Sequence, residues 1–168
     1  MIVNIPPQDM SRCRQAATGR WQLARMSGVG NQRRDNNRSD NDIDFLGVRA
    51  EYSVAKVFGL EYSPTALGID DGADMWSDDV SIDVKSTFHT NGRMLFKSVD
   101  AFKASVCVLV SATPIESQMD VRGWAPRSDF AAMSQTDDLG HGLCRVLEND
   151  KLRDLSVLWQ FLVERKVK

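Results

Sequence analysis

The sequence predicts an α/β protein with a mixed sheet of four to five strands flanked by helices. Three segments carry that expectation. Residues 43–58, IDFLGVRAEYSVAKVF, place Leu46, Ala50, Val54, Val57 and Phe58 on one stripe at helical period. Residues 72–87, GADMWSDDVSIDVKST, read as two strands, 73–76 and 80–87, turning on Ser77, Asp78 and Asp79. Residues 104–111, ASVCVLVS, are apolar and β-branched enough for a buried strand.

The remaining elements follow in order. Ser11 is placed to cap a helix over 11–26, where Arg14, Trp21 and Arg25 recur at helical spacing and Gly19 weakens the run. GVGNQRRDNNRSDND (28–42) is rich in Gly, Asn, Asp and Arg and reads as a loop. Asn41 or Asp42 is the expected cap of the 43–58 helix, and Gly59 its stop. A loop is expected over 60–71. Strands are expected at 93–97 and 120–124, and Pro126 ends the second. Ser128 is the expected cap of a short helix to Met133, with loop over 134–141 and a short strand over 143–147. Leu152, Leu155, Leu158, Trp159 and Leu162 give the stretch 150–165 the spacing of a packing helix. The chain thus divides into a basic N-terminal helix and Asn/Arg-rich loop, 1–40, and a folded body, 41–168.

Composition narrows the functional classes. With 168 residues and 42% hydrophobic content, the chain suits one domain with a real core. It holds no apolar run near the roughly 20 residues that span a bilayer. The N-terminus lacks the basic-then-apolar pattern of a secretion signal. Cys13, Cys107 and Cys144 are odd in number and form no CxxC pair, and His89 and His141 are the only histidines. A Cys/His zinc site is therefore not expected, and a reducing, cytoplasmic setting is. The net charge of −2 argues against a passive DNA-coating protein. Residues 1–38 nevertheless hold seven arginines against Asp9 and Asp35, net +5, which leaves −7 on the remainder. Such an arrangement suits phosphate contacts at one edge and metal-binding carboxylates elsewhere, or simply a solvated charged helix.

The chemistry concentrates in the hairpin. A two-residue loop at Asp78–Asp79, or a four-residue loop over 77–80, brings Asp74 opposite Asp83, whereas a three-residue turn shifts the pairing by one and leaves the two aspartates diagonal. Alternation puts Lys85 on the face of Asp83. Opposed carboxylates repel, and a hard cation between them removes the conflict. Mg²⁺ suits the position, because it takes one or two carboxylates plus water and phosphate oxygens. A charged solvent face is the plain alternative. Glu51 lies at the border of the helical stripe, with Gly47 and Ala55 one turn away on either side; its plain alternative is a solvated glutamate paired with Lys56 or Arg49.

GVRAEYSVAKVFG (47–59) followed by GADMWSDDVSIDVKST resembles the PD-(D/E)XK nuclease superfamily, over roughly residues 44–112, with weaker agreement through 121–130. It is similar to the small phage and archaeal branch that includes Holliday-junction-resolvase-like enzymes. The resemblance implies a restriction-endonuclease-like core over 41–168. It makes Glu51 the helix acid, Asp74 and Asp83 the strand acids, and Lys85 the motif lysine. Ala73 stands where the family usually has proline, a position that varies.

On that reading the chain is a metal-dependent endonuclease acting on DNA, duplex or branched. Asp74, Asp83 and the Val84 carbonyl hold Mg²⁺, with Mn²⁺ as substitute. Glu51 binds the ion through water or holds a second one. Lys85 orients the attacking water or neutralises the phosphate. Arg33, Arg34, Arg38, Lys97 and Ser86 are the nucleic-acid contacts, with Lys103 another candidate. Asp70 and Asp71 compete with Asp74 but lie beyond the hairpin pairing. Trp76 and Trp124 read as core or edge packing. An RNA-directed or exonucleolytic member of the superfamily, an inactive binding module of the same fold, and a protein-binding adaptor are the rivals. A homodimer is one state the resemblance allows.

Overall fold

The computed structural model describes residues 1–28, 38–63, 72–140 and 142–166. The protein is α/β. A five-stranded curled sheet runs in the order β1 (Ile2–Asn4), β6 (Gln118–Pro126), β5 (Val106–Ala112), β3 (Val80–Thr87), β2 (Met75–Ser77). Only β3 and β5 are parallel, so the sheet is mixed. A second, antiparallel sheet joins β4 (Met94–Phe96), β8 (Leu143–Leu147) and β7 (Gln135–Asp138). The helices among the described residues are α1 (Pro7–Met26), α2 (Asp40–Phe58), α3 (Arg127–Met133) and α4 (Leu155–Lys166). None is long and apolar enough to cross a membrane.

The two faces of the large sheet bury different clusters. On one, Leu46, Ala50, Val54 and Phe58 of α2 meet Ile82, Val106, Val108, Val110 and Val121, and α4 adds Leu155, Leu158 and Leu162. That is the apolar stripe expected from the sequence. On the other, Cys107, Leu109 and Ala125 meet Phe96, Phe102, Phe130 and Leu147. The Phe96 and Phe102 rings stack at 4.5 Å, and Phe130 stands edge-on to both. Helix α1 lies on α2 through small residues, Cys13, Ala16 and Ala17 against Phe45 and Val48.

Several boundaries differ from expectation for identifiable reasons. Helix α1 begins at Pro7, not at Ser11; proline at the first helical turn has no N–H to lose and a φ already helical. Helix α2 is capped by Ser39 rather than Asn41 or Asp42. Ser39 Oγ accepts from the Asp42 amide, and the Asp42 carboxylate accepts from Ser39 N–H, a closed capping box. Gly59 ends the helix at φ 62°. Helix α3 follows Pro126 directly, and Ser128 is not its cap. The segment 149–151 is a 3₁₀ turn, so α4 starts at Leu155. Strands β1 and β7, neither expected, are a triplet too short to show a period and a polar quartet, and their pairing comes from β6 and β8. Cys13, Cys107 and Cys144 are buried free thiols.

Strand β6 bulges against β5 between Gly123 and Val121. There the chain at Arg153 exchanges backbone hydrogen bonds with Trp124, of 3.1 and 2.8 Å. A Cβ on Gly123 would stand 2.8 Å from the Arg153 carbonyl oxygen. Gly123→Ala is therefore expected to lower stability by about 1–3 kcal/mol through overpacking. Urea unfolding checks this, and a midpoint equal to wild type contradicts it.

Candidate active site

The hairpin closes as a two-residue turn. Ser77 pairs with Val80 and Met75 with Ile82, and Asp78 adopts a φ of 52°. One residue further, Asp74 stands level with Asp83. Here β2 leaves β3. Gly72, at φ 95° and pressed against Lys103 so closely that a Cβ would stand 2.9 Å from that side chain's Cβ, helps the chain turn away. The Asp74 amide still donates to the Ile82 carbonyl at 2.9 Å. Beyond that point, among the described residues, β2 no longer pairs with β3 at the Val84 N–H. Asp74 Oδ2 takes its place, accepting at 2.6 Å. The N–H and C=O of one strand residue point to the same side, so the Val84 carbonyl faces this open edge too.

The other charges reach the edge from both faces of the sheet. Side chains alternate along β3. Ile82 and Val84 pack toward α2, whereas Asp83 and Lys85 project to the opposite face. Lys85 Nζ donates to Asp83 Oδ1 at 2.7 Å and sits 4.8 Å from the centre of the Phe96 ring. Asp83 is only 6% exposed. Glu51, also buried, comes from α2 on the first face. Its partner is neither Arg49, whose guanidinium donates to the Glu116 carbonyl, nor Lys56, but Arg20 of α1. Arg20 Nη1 and Nη2 donate to the two Glu51 oxygens at 2.7 Å each, and Tyr62 Oη donates to Oε2 at 2.6 Å. A Cβ at Gly47 would lie 4.0 Å from Glu51 Oε1, an ordinary van der Waals contact.

Electrostatics tie the groups together. Burial, then the negative charges of Glu51 and Asp83, push the Asp74 carboxyl up to about 8, against the opposing pull of the Val84 N–H and Lys85. Burial works against the charge on Lys85, but the Asp83 carboxylate, with Cys107 and Asp74 adding to it, holds the ammonium above its ordinary value. Hydrogen bonds to Glu51 raise Arg20 likewise. Burial and then Glu51 keep the Tyr62 phenol protonated, as a donor. Cys107, level with Asp83 on β5, is held as a neutral thiol by burial first and then by Asp83.

The structure thus brings Glu51, Asp74, Asp83 and Lys85 to one edge, with the Val84 backbone among them. Among the described residues, no three His, Cys, Asp or Glu side chains are grouped as a ready-made metal cage. Two opposed carboxylates and a carbonyl are a donor set for a hard cation that keeps several waters, as Mg²⁺ does. Asp74, raised by burial first and then by the like charges of Glu51 and Asp83, is the group such a cation would relieve.

Other expected contacts fall apart from this cluster. Ser86 shares the α2 face with Val84, away from Asp83 and Lys85. Lys97 is exposed just past β4. Arg38 is exposed, its guanidinium 3.8 Å from the centre of the Phe88 ring at the end of β3. Arg33, Arg34, Asp70 and Asp71 lie outside the described residues. Trp124 is buried and donates to the Asp154 carbonyl at 2.9 Å. Trp76, expected as packing, is 53% exposed on the outer strand β2. The arginines of α1 are largely engaged within the protein: Arg12 with Asp9, Arg14 with Glu116, Arg20 with Glu51. Arg20 and Tyr62 are the site residues that sequence reasoning missed. Their only signal was an arginine in a basic segment and a tyrosine in a loop.

No family model matches the chain, and no curated protein is significantly similar to it.

Between the ordinary value of 3.8 and the folded value of about 8, folded Asp74 holds a proton that the unfolded chain has released. Its contribution to stability is full below the lower value and is lost as pH rises through the upper one. In EDTA, wild type is expected to lose melting temperature from about pH 4 to pH 8 more steeply than Asp74→Asn, whose amide oxygen can still accept from Val84. Parallel melting curves for the two proteins would contradict the shift.

Proposed function

We propose that this chain is a Mg²⁺-dependent endonuclease that hydrolyses DNA phosphodiester bonds. Its core would be the restriction-endonuclease-like one of the PD-(D/E)XK superfamily, in the manner of Holliday-junction-resolvase-like enzymes. The observation that carries this is the hairpin register. It sets Asp74 level with Asp83 at an open strand edge, with Lys85 hydrogen-bonded to Asp83 and Glu51 approaching from the preceding helix.

Phosphodiester hydrolysis needs an activated water and relief of charge on the phosphate. Asp74, Asp83 and the Val84 carbonyl are the residues that would hold the ion. When bound, Mg²⁺, or Mn²⁺ in its place, supplies Lewis-acid neutralisation of the phosphate and a water acidic enough to attack near neutral pH. Lys85, kept charged by Asp83, has donors left for a phosphate oxygen or for the attacking water. The β3–β5 pairing fixes the strand that carries both. Phe96 beneath Lys85 limits the directions the ammonium can take. Arg38 and Lys97, with Arg33 and Arg34, are the proposed backbone contacts that offset the acidic body. The occupant is DNA, duplex or branched, and a homodimer is compatible with this reading.

One observation favours a second reading. Glu51 and Asp83 already have cationic partners, as they would in a nucleic-acid-binding module that has lost catalysis. Incubation with plasmid, branched, single-stranded and RNA substrates separates the two. Cleavage of DNA in Mg²⁺ that stops in EDTA is expected, and Asp83→Ala or Lys85→Ala should lower it by about 10²- to 10³-fold or more. Binding of the same DNA with no cleavage in Mg²⁺ or Mn²⁺ would leave the binding module; cleavage of RNA alone would change the substrate.

A further inference from the structure

We propose that Arg20 is a resident cation in the position of a second metal ion, so that the centre binds one divalent ion and no more. The inference rests on the metal-dependent reading above and deepens it. Glu51 is the carboxylate that a second ion would need. Both its oxygens are already engaged, by the two ends of the Arg20 guanidinium at 2.7 Å and by the Tyr62 hydroxyl at 2.6 Å. A forked, charge-assisted pair of this kind is among the strongest hydrogen-bonded arrangements available to a carboxylate. An ion placed on Glu51 would have to displace a guanidinium whose side chain is 30% exposed, or stand beside it as a like charge.

Charge balance points the same way. Among the described residues, the three carboxylates Glu51, Asp74 and Asp83 face two cations, Arg20 and Lys85, which leaves one negative charge. One Mg²⁺ together with the single charge of a phosphate diester brings the centre to neutrality. A second Mg²⁺ would leave two positive charges in a half-buried site. Glu51 on this view is a positioning residue. It holds Arg20, and Tyr62 holds Glu51.

The position of Arg20 is built by packing. Helix α1 lies against α2 through Cys13, Ala16 and Ala17, which allow close approach. Arg20 follows Ala16 by one turn and Ala17 by three residues, so it projects along the same side of α1 toward Glu51. Lysine at this position would keep the charge and lose the fork.

Counting bound Mn²⁺ on the full-length protein, by calorimetry and by the electron paramagnetic resonance signal of free Mn²⁺, tests this without reference to activity. Wild type is expected to bind one ion per chain and Arg20→Lys one. Arg20→Ala, which frees Glu51, is expected to bind two, and Arg20→Ala with Glu51→Gln one again. Two ions on wild type would overturn the role given to Arg20 and leave the metal-dependent reading intact, as would a folded Arg20→Ala that binds only one. No ion on wild type would overturn the metal-dependent reading itself. Should Arg20→Ala fail to fold, the wild-type and Arg20→Lys counts decide.

Discussion

Past Ile82, strand β3 has no further pairing with β2 among the described residues, and a half-buried strand edge is costly to leave without hydrogen-bond partners. An unpaired amide there costs a free energy comparable to a lost hydrogen bond. Asp74 meets that demand with a side chain, by accepting from Val84 N–H. Satisfying the edge with a carboxylate rather than a carbonyl imports a negative charge beside Asp83 and within reach of Glu51. The arrangement of Lys85, Arg20 and Tyr62 follows from containing that charge.

The sheet supplies the means. Because β3 pairs in parallel with β5, it is held firmly on that side while its opposite edge stays open. Alternation sends Asp83 and Lys85 to the face covered by the phenylalanine cluster and leaves Val84 toward α2. Charges from both faces then meet only at the edge, where Asp74 lies in between. The two carboxylates with fixed cationic partners are held in ion pairs. Among the described residues, the Val84 amide and Lys85 offset Asp74, while burial first and then the charges of Glu51 and Asp83 raise its proton affinity. Structural pairing and an unmet charge thus coexist within a few residues.

Much of this was readable in the chain. The shared face of Asp83 and Lys85 and the stripe of α2 depend on local periodicity, which sequence states directly; the level pairing of Asp74 with Asp83 depended on the length of the turn, which is two residues at Asp78–Asp79. What was not readable depends on contacts between distant segments. Arg20 lies 31 residues before Glu51 in a helix that reads as a basic arm, and it arrives only because α1 docks through Cys13, Ala16 and Ala17. Small residues give little hydrophobic signal, and of the larger apolar residues of that helix Met10 packs against the cluster while Leu23 and Met26 are exposed. Tyr62 sits past the end of α2, where no period applies. Strand β7 is polar and takes its form from β8. The site on its strands was therefore legible, and its containment was not.

Anomalous diffraction from crystals soaked in Mn²⁺ bears most directly on the claim that this edge is a cation site. A peak between the Asp74 and Asp83 carboxylates, on the side to which the Val84 carbonyl points, is the expected result. Well-ordered crystals at saturating Mn²⁺ with no peak there, or with the ion held only by surface carboxylates elsewhere, would contradict it.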